Sequence, residues 1–429
     1  MNDLPDHKTN ISKYPLVFSC FYLFIYYTRP QDNIPGLDAL PWVGVFFLLF
    51  TIWGFWLLFT KEKNMFKKPV VLIFWLGVIF GISGIGAISP ISFVMSFKWI
   101  TQTFPQVVVL VVIFSSAARL KQLHNFWVFV YFIMAVFTLK NAPLGPGDFT
   151  RDPNDAALAL GMGVPMVFYA LGQRVLSIKR RLYYYAVLAL IVLAIVATSS
   201  RGGFLGFIAG WMTIWWMSKN RTKIMMYTLA ISILAGGALV SFLPDRYVED
   251  MKSISDKKDS TRVERLRTWE IGIEMFKANP ILGVGAGNFA NNVHIYQPRT
   301  SWWTGHQRSL SGRASHSLYF QIIPDLGLIG VGVYFFIMCI LPLRLLKISK
   351  KLDESDDLQK DIQLFCRALI ASMAVYAVAG AFISVAYYPH IPIWLAMYTI
   401  IVTIIKDNYP AVLSNETNLK SSYPHKAHL

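Results

Sequence analysis

With 429 residues, 55% hydrophobic and 15% charged, and a mean hydropathy of +0.47, the chain falls outside the range of soluble domains, which are about 45–50% apolar and about 25% charged. A net charge of +16 would suit a nucleic-acid partner in a soluble protein, but in so apolar a chain the placement of basic residues matters more than their sum. Composition therefore excludes an ordinary soluble enzyme and predicts an all-α polytopic membrane protein, because only helices or closed barrels satisfy their backbone in lipid.

Apolar runs long enough to cross roughly 30 Å of hydrocarbon, about 20 helical residues, recur at 14–28, 41–59, 69–88, 97–117, 124–139, 155–172, 182–199, 202–218, 223–243, 316–342, 366–386 and 391–405. The first ends at Thr28-Arg29-Pro30 without a small-residue cleavage signature, so it is read as a retained span. About twelve transmembrane helices are expected. Nine fall in 1–243, a large outer loop with amphipathic helices occupies 244–315, and three more plus a cytoplasmic tail fill 316–429. Cys20, Cys339 and Cys366 lie in or beside these spans without metal-ligand spacing, and read as small apolar packing residues.

An even number of spans puts both termini on one side. If that side is the cytoplasm, the inside segments, among them "KEKNMFKK", "RVLSIKRR" and "SKNRTK", hold 24 of the 40 Lys and Arg, as the positive-inside rule requires. Membrane lipids are the expected surroundings, and no nucleic-acid partner is expected. Only 244–315 breaks the charge pattern, and a loop this long can translocate despite its basic residues. Loops of such length without structure of their own are usually functional or disordered.

In that loop "TRVERLRTWEIGIEMFKANP" carries a Thr261–Glu264 capping box, a stop at Asn279-Pro280 and an apolar stripe at Leu266, Trp269, Ile273 and Phe276. It predicts an amphipathic helix on the membrane face, with Arg262 and Arg265 in its first turns, where unpaired N–H groups already favour an anion. "GVGAGNF" follows without a preceding strand or a Lys-Ser/Thr, which argues against a nucleotide loop.

Ionisable groups inside spans cost about 2.5–3.5 kcal/mol on insertion scales and usually face a cavity or partner. Arg201 stands between two spans, beside Gly202 and Gly203, which let a ligand or another helix approach closely. His316 opens a span that Pro324-Asp325 and Gly327 interrupt, on the side of the basic loop; neighbouring arginines should hold it neutral, able to accept a proton. His294 and His306 lack that context. Arg313 and Asp155 are further candidates, Asp155 with Asp152 and Asn154 either lining the same cavity or capping a helix. Trp302-Trp303 suits an aromatic belt or a sugar-stacking platform.

The "SSRGG" arginine, Arg-x-x-x-Leu from Arg262 to Leu266, "NPILGVGAGNF", and His-x₁₀-Gly from His316 to Gly327 together resemble the O-antigen ligase and polymerase superfamily. "DPNDAALAL" and "YYTRPQD" look more like its O-glycosylation ligase branch found beside exosortase systems. The resemblance implies an inverting, metal-independent glycosyltransferase without cofactors, in the inner membrane of a bacterium with the 244–315 loop in the periplasm. It would pass a glycan from undecaprenyl diphosphate to a periplasmic acceptor such as lipid A-core. It also implies that Arg201 and Arg262 or Arg265 bind the diphosphate and that His316 is the catalytic base; which of the two loop arginines matches the family position stays open. An O-antigen polymerase, or a transporter of anionic solutes, would share some of these features. No inverted repeat of the transporter kind is visible, and the ionisable groups cluster on one face.

Overall fold

The computed structural model describes residues 13–39, 41–60, 63–222, 224–226, 228 and 260–414. Among them the chain is all helical. In order these are α1 (Lys13–Thr28), α2 (Trp42–Thr60), α3 (Val71–Ser83), α4 (Ile91–Phe114), α5 (Ala117–Asn141), α6 (Pro153–Ala170), α7 (Ile178–Ala197) and α8 (Arg201–Met217). After the loop come α9 (Ser260–Ala278), α10 (Phe289–Tyr296), α11 (Tyr319–Lys351), α12 (Asp357–Gly380) and α13 (His390–Asn408). Seven of them, α2, α4, α5, α7, α11, α12 and α13, are long and apolar enough to cross a membrane; Tyr14–Thr28 and Val71–Ser83 are apolar but shorter. Most of the expected span 223–243, and the run "VEDMKSISDKKDS" up to its last residue, Ser260, lie outside the described residues.

At the centre, α6 and α12 are buried along nearly their whole length, and α8 closes against both. The contact is glycine-dependent. A Cβ on Gly203 would sit 2.2 Å from Ala157 Cβ, one on Gly206 2.7 Å from Ala379 Cβ, and one on Gly210 2.4 Å from Val375 Cγ2. Small residues at a helix interface let backbones approach and gain dispersion where lipid offers no hydrophobic drive. The close approach that Gly202 and Gly203 permit is therefore by α6 and by Phe382, not by a ligand.

Two expectations change. The tenth span does not begin at 316: α11 starts at Tyr319, and His316 precedes it in left-handed backbone, φ 50°. On α9, Leu266 and Ile273 of the expected apolar stripe are exposed, while Ile271 and Met275 are buried against Phe289 and Val293 of α10. The helix thus has a second apolar face, which the i, i+3, i+4 count missed because glycine and threonine, at Gly272 and Thr268, complete it. It begins at Ser260, one residue before the expected cap, and ends at Ala278 as expected.

The break in α11 is filled by the glycine-rich segment. Gly327 lies at φ 60°, ψ −159°, so Leu328 and Ile329 donate to Pro280 O (2.8 Å) and Ile281 O (3.4 Å) in place of carbonyls one turn back. The carbonyls so released, Pro324 O and Asp325 O, accept from Val284 N (2.8 Å) and Gly285 N (3.0 Å). Asp325, fully buried, accepts from Gly287 N (3.0 Å) and Tyr387 OH (2.8 Å). A Cβ on Gly283, itself at φ +73°, would lie 2.4 Å from Asp325 C. Where backbone groups are buried they must find partners, and "GVGAGNF" supplies them to a broken helix.

Candidate functional site

At the end of the bundle where α6, α9 and the approach to α11 meet lies a cavity of about 490 Å³, lined by Arg265, Arg313, His316, Asp152, Asp155 and Glu264 together with Asn154, Ser384 and Tyr388. Four of the candidates from sequence, Arg265, Arg313, His316 and Asp155, therefore share one cavity.

His316 owes its position to a set of bonds on either side. Trp269 Nε1 donates to Ser315 O (2.9 Å), and the Trp269 ring stacks on Phe320 with centroids 4.8 Å apart. Ser315 Oγ donates to Ser317 O (3.0 Å) and meets Ser384 Oγ (3.1 Å); Leu318 N donates to Gly380 O (2.7 Å). A non-glycine residue in left-handed backbone costs of order 1–3 kcal/mol and persists only where its surroundings over-determine it. The other described non-glycine residues with positive φ, Arg29, Asp148 and Ser199, lie in loops at this same end.

The imidazole sits below its usual pKa of 6.5: loss of solvation is the main cause and Arg265 the next, with Asp152 and Glu264 pulling the other way and Arg313 adding to the depression. It is neutral at pH 7 and can accept a proton.

Arg265 enters the cavity from the second turn of α9, and Arg313, from the loop ahead of His316, pairs with Glu264 (3.2 Å). Arg262 does not line the cavity. It is exposed on the first turn of the helix, about 4.5 Å along the axis from Arg265. Of the two loop arginines only Arg265 lines this cavity. Arg201 does not line the cavity either. It begins α8, next to Ser200, whose Oγ donates to Asn154 Oδ1 (2.7 Å) on the cavity wall and accepts from Gly203 N (3.0 Å).

At the start of α6 the two carboxylates divide. Asp152 is the N-cap, accepting from Asn154 N (2.8 Å), and also lines the cavity. Asp155 is 6% exposed; Tyr388 OH reaches its Oδ2 (3.4 Å), while Oδ1 has no hydrogen-bond partner among the described residues. Guanidinium groups thus enter from α9 and the loop before α11, carboxylates mostly from α6, with His316 on the same cavity. Ser384 and Tyr388, in the connection between α12 and α13, were not foreseen; the only sequence signal was the aromatic cluster "YYPH" between two apolar runs. Among the described residues no group of His, Cys, Asp and Glu is arranged to hold a metal ion. His294 and His306 are exposed and away from the cavity lining. Trp302 packs on the small core of α9 and α10, and Arg267 lies 4.7 Å over its ring.

Fold and cavity define a multi-pass membrane protein with a polar, doubly charged pocket at one end of its helices. Compared with known families, residues 186–335 match O-antigen ligase, a stretch that contains Arg201, Arg262, Arg265, Arg313 and His316. The matched stretch is about a third of the chain and is similar to the O-antigen ligase and polymerase superfamily. No curated protein matches the chain.

Proposed function

We propose that this protein is an inverting glycosyltransferase of the inner membrane, moving a glycan from undecaprenyl diphosphate to an acceptor hydroxyl at the periplasmic face. The observation that carries the reading is the convergence of a neutral histidine and two arginines on one cavity. In a single displacement, the acceptor oxygen forms a bond to the anomeric carbon as the bond from that carbon to the diphosphate oxygen breaks. The acceptor proton passes to His316, and the electron pair leaves with the lipid diphosphate.

Arg265 and Arg313 stabilise the charge that develops on the leaving oxygen. Hydrogen bonds to charged groups contribute about 1.5–3 kcal/mol each, so two guanidinium groups supply a substantial part of the barrier reduction. Asp152 and Asp155, entering from α6, accept hydrogen bonds from sugar hydroxyls and give the cavity a polyol-binding part beside its anion-binding part. Arg201 and Arg262 take supporting parts, with Arg201 backing the Ser200–Asn154 contact and Arg262 drawing the anionic carrier towards the cavity. Both termini lie in the cytoplasm in this arrangement, consistent with the basic residues of the inside segments.

The test is transfer by the purified protein in nanodiscs, with a glycan-linked undecaprenyl diphosphate of known anomeric configuration. The product should carry the opposite configuration by NMR. Retention of configuration, or no transfer by a folded protein, would overturn the reading.

A further inference from the structure

Not every charge at the end of the bundle opposite His316 is closed into a pair. A second cavity, of about 190 Å³, opens there between α6, α8 and the start of α12. Along α6 its Tyr169 lies seventeen residues, or about 25 Å of helix, from Asp152 of the first cavity. Lys219, Lys360 and Arg367 bring three cations to the lining and Glu354 brings one carboxylate, which leaves a surplus of two positive charges. Lys219 and Arg367 share Glu354, at 2.7 and 3.4 Å, while Lys360 has no ion-pair partner among the described residues.

The surrounding chain holds these groups in place. Arg174 donates to Ser355 O (2.9 Å) and pairs with Asp357 (2.9 Å), fixing the turn that carries Glu354. Asp356 caps α12 by accepting from Leu358 N (2.8 Å) and Gln359 N (3.0 Å), and Gln363 Nε2 donates to Ser349 O (2.7 Å). Into this frame Tyr169, on the last turn of α6 and only 6% exposed, brings a hydroxyl with no hydrogen-bond partner among the described residues. Buried hydroxyls are ordinarily hydrogen-bonded, so one that lines a cationic cavity points to an acceptor from outside the chain. The depth is that of lipid headgroups. Trp215 and Trp216, at the end of α8, are exposed, and Arg221 lies 5.6 Å over the Trp215 ring; such tryptophans collect where membrane meets water.

We infer that this cavity binds a phosphate group, carried by the headgroup of an anionic phospholipid or present as free phosphate. The Arg367 guanidinium and the Lys360 ammonium bond to phosphate oxygens, the Tyr169 hydroxyl donates to another, and Lys219 covers the exposed side. Basic pockets between membrane helices take anionic headgroups in this manner. The bound anion offsets the surplus charge and ties α6 to α12. This site is remote from the His316 cavity and stands whether or not the transfer reading does.

The test uses the purified full-length protein in a neutral detergent, titrated at constant ionic strength with dioctanoyl phosphatidylglycerol, dioctanoyl phosphatidylcholine or inorganic phosphate while the melting temperature is followed. Phosphatidylglycerol, inorganic phosphate or both should raise it, and phosphatidylcholine should not. A response to phosphatidylglycerol alone identifies the headgroup as the source, and a response to inorganic phosphate shows that the free anion suffices. Lys360→Gln should weaken the binding about tenfold and Tyr169→Phe about threefold, neither lowering the melting temperature of the ligand-free protein, because neither polar group is bonded within it. Glu354→Gln should tighten the binding severalfold by releasing Lys219 and Arg367 to the anion. No response to phosphatidylglycerol or phosphate beyond that to chloride, an equal response to phosphatidylcholine, or unchanged affinity in both Lys360→Gln and Tyr169→Phe would each overturn the assignment.

Discussion

The two ends of the helical bundle differ in how many of their charges are closed into ion pairs. At the end where α5, α8 and α12 meet the 352–356 turn, cations stand in compact ion pairs: Lys121 with Asp361 (2.8 Å), Arg174 with Asp357 (2.9 Å), Lys219 with Glu354 (2.7 Å) and Arg367 with Glu354 (3.4 Å). Glu354 is held below its usual pKa, chiefly by its hydrogen bond from Lys219. At the other end, Arg265, Arg313 and His316 line a cavity large enough for part of a ligand. Charge closed into pairs serves to tie helices together, whereas charge arranged around space serves to bind. A count of basic residues cannot tell these apart; their surroundings can.

The sharpest way to break the comparison is His316→Ala. It should lower transfer by about 10²–10⁴-fold while leaving undecaprenyl diphosphate binding intact, since a positioned base contributes that much to rate and nothing to anion binding. Assay with purified lipid-linked donor decides it, and near-normal transfer by a folded protein would remove the base. Arg265→Ala should weaken donor binding by about 10–100-fold, the equivalent of one or two charge-assisted hydrogen bonds, whereas Arg262→Ala should change it only about twofold. Equal effects in a titration of undecaprenyl diphosphate would contradict the placement of Arg262 outside the cavity.

Gly327→Ala probes the frame beneath the site. Its Cβ would lie 2.4 Å from Ile281 O in backbone at φ +60°, so the folded protein should lose about 1–3 kcal/mol or more, seen as a lower melting temperature in detergent. The pH profile sharpens the role of Arg265. His316 must be neutral to act, and its pKa lies below 6.5, so transfer should rise with pH along an acidic limb whose midpoint lies below that value. Arg265→Gln removes a charge that depresses the pKa, so the acidic limb should move to higher pH. Smallest of all, Lys219→Ala at the other end should leave transfer unchanged and cost about 0–1 kcal/mol in stability, because that pair is solvent-exposed.

Much of the site was legible because its residues break a strong pattern. His316, Arg265, Arg313 and Asp155 are ionisable groups beside apolar runs, and such groups need a reason to be there. Arg262 was grouped with Arg265 because spacing alone gives the angle between two side chains and not what lies opposite them. Tyr388 and Ser384 escaped notice because tyrosine and serine beside a span are unremarkable until folding turns them towards a cavity. "GVGAGNF" is glycine-rich for a reason its own neighbours do not show: it hydrogen-bonds the broken turn of α11, through carbonyls some forty residues away.

The sequence by itself determined the all-helical class with several membrane-length helices, the basic loop and the ionisable residues that stand out from it. These follow from hydropathy, helix period and the cost of charge in lipid, all of which act over a few neighbouring residues. Only the tertiary structure decided that Arg265 and not Arg262 shares the cavity of His316, that the α8 glycines serve helix packing, and that Tyr169, Lys360 and Arg367 line a second cavity at the other end. Those outcomes depend on side chains brought together from distant parts of the chain, where packing and hydrogen-bond partners, not local propensity, set the result.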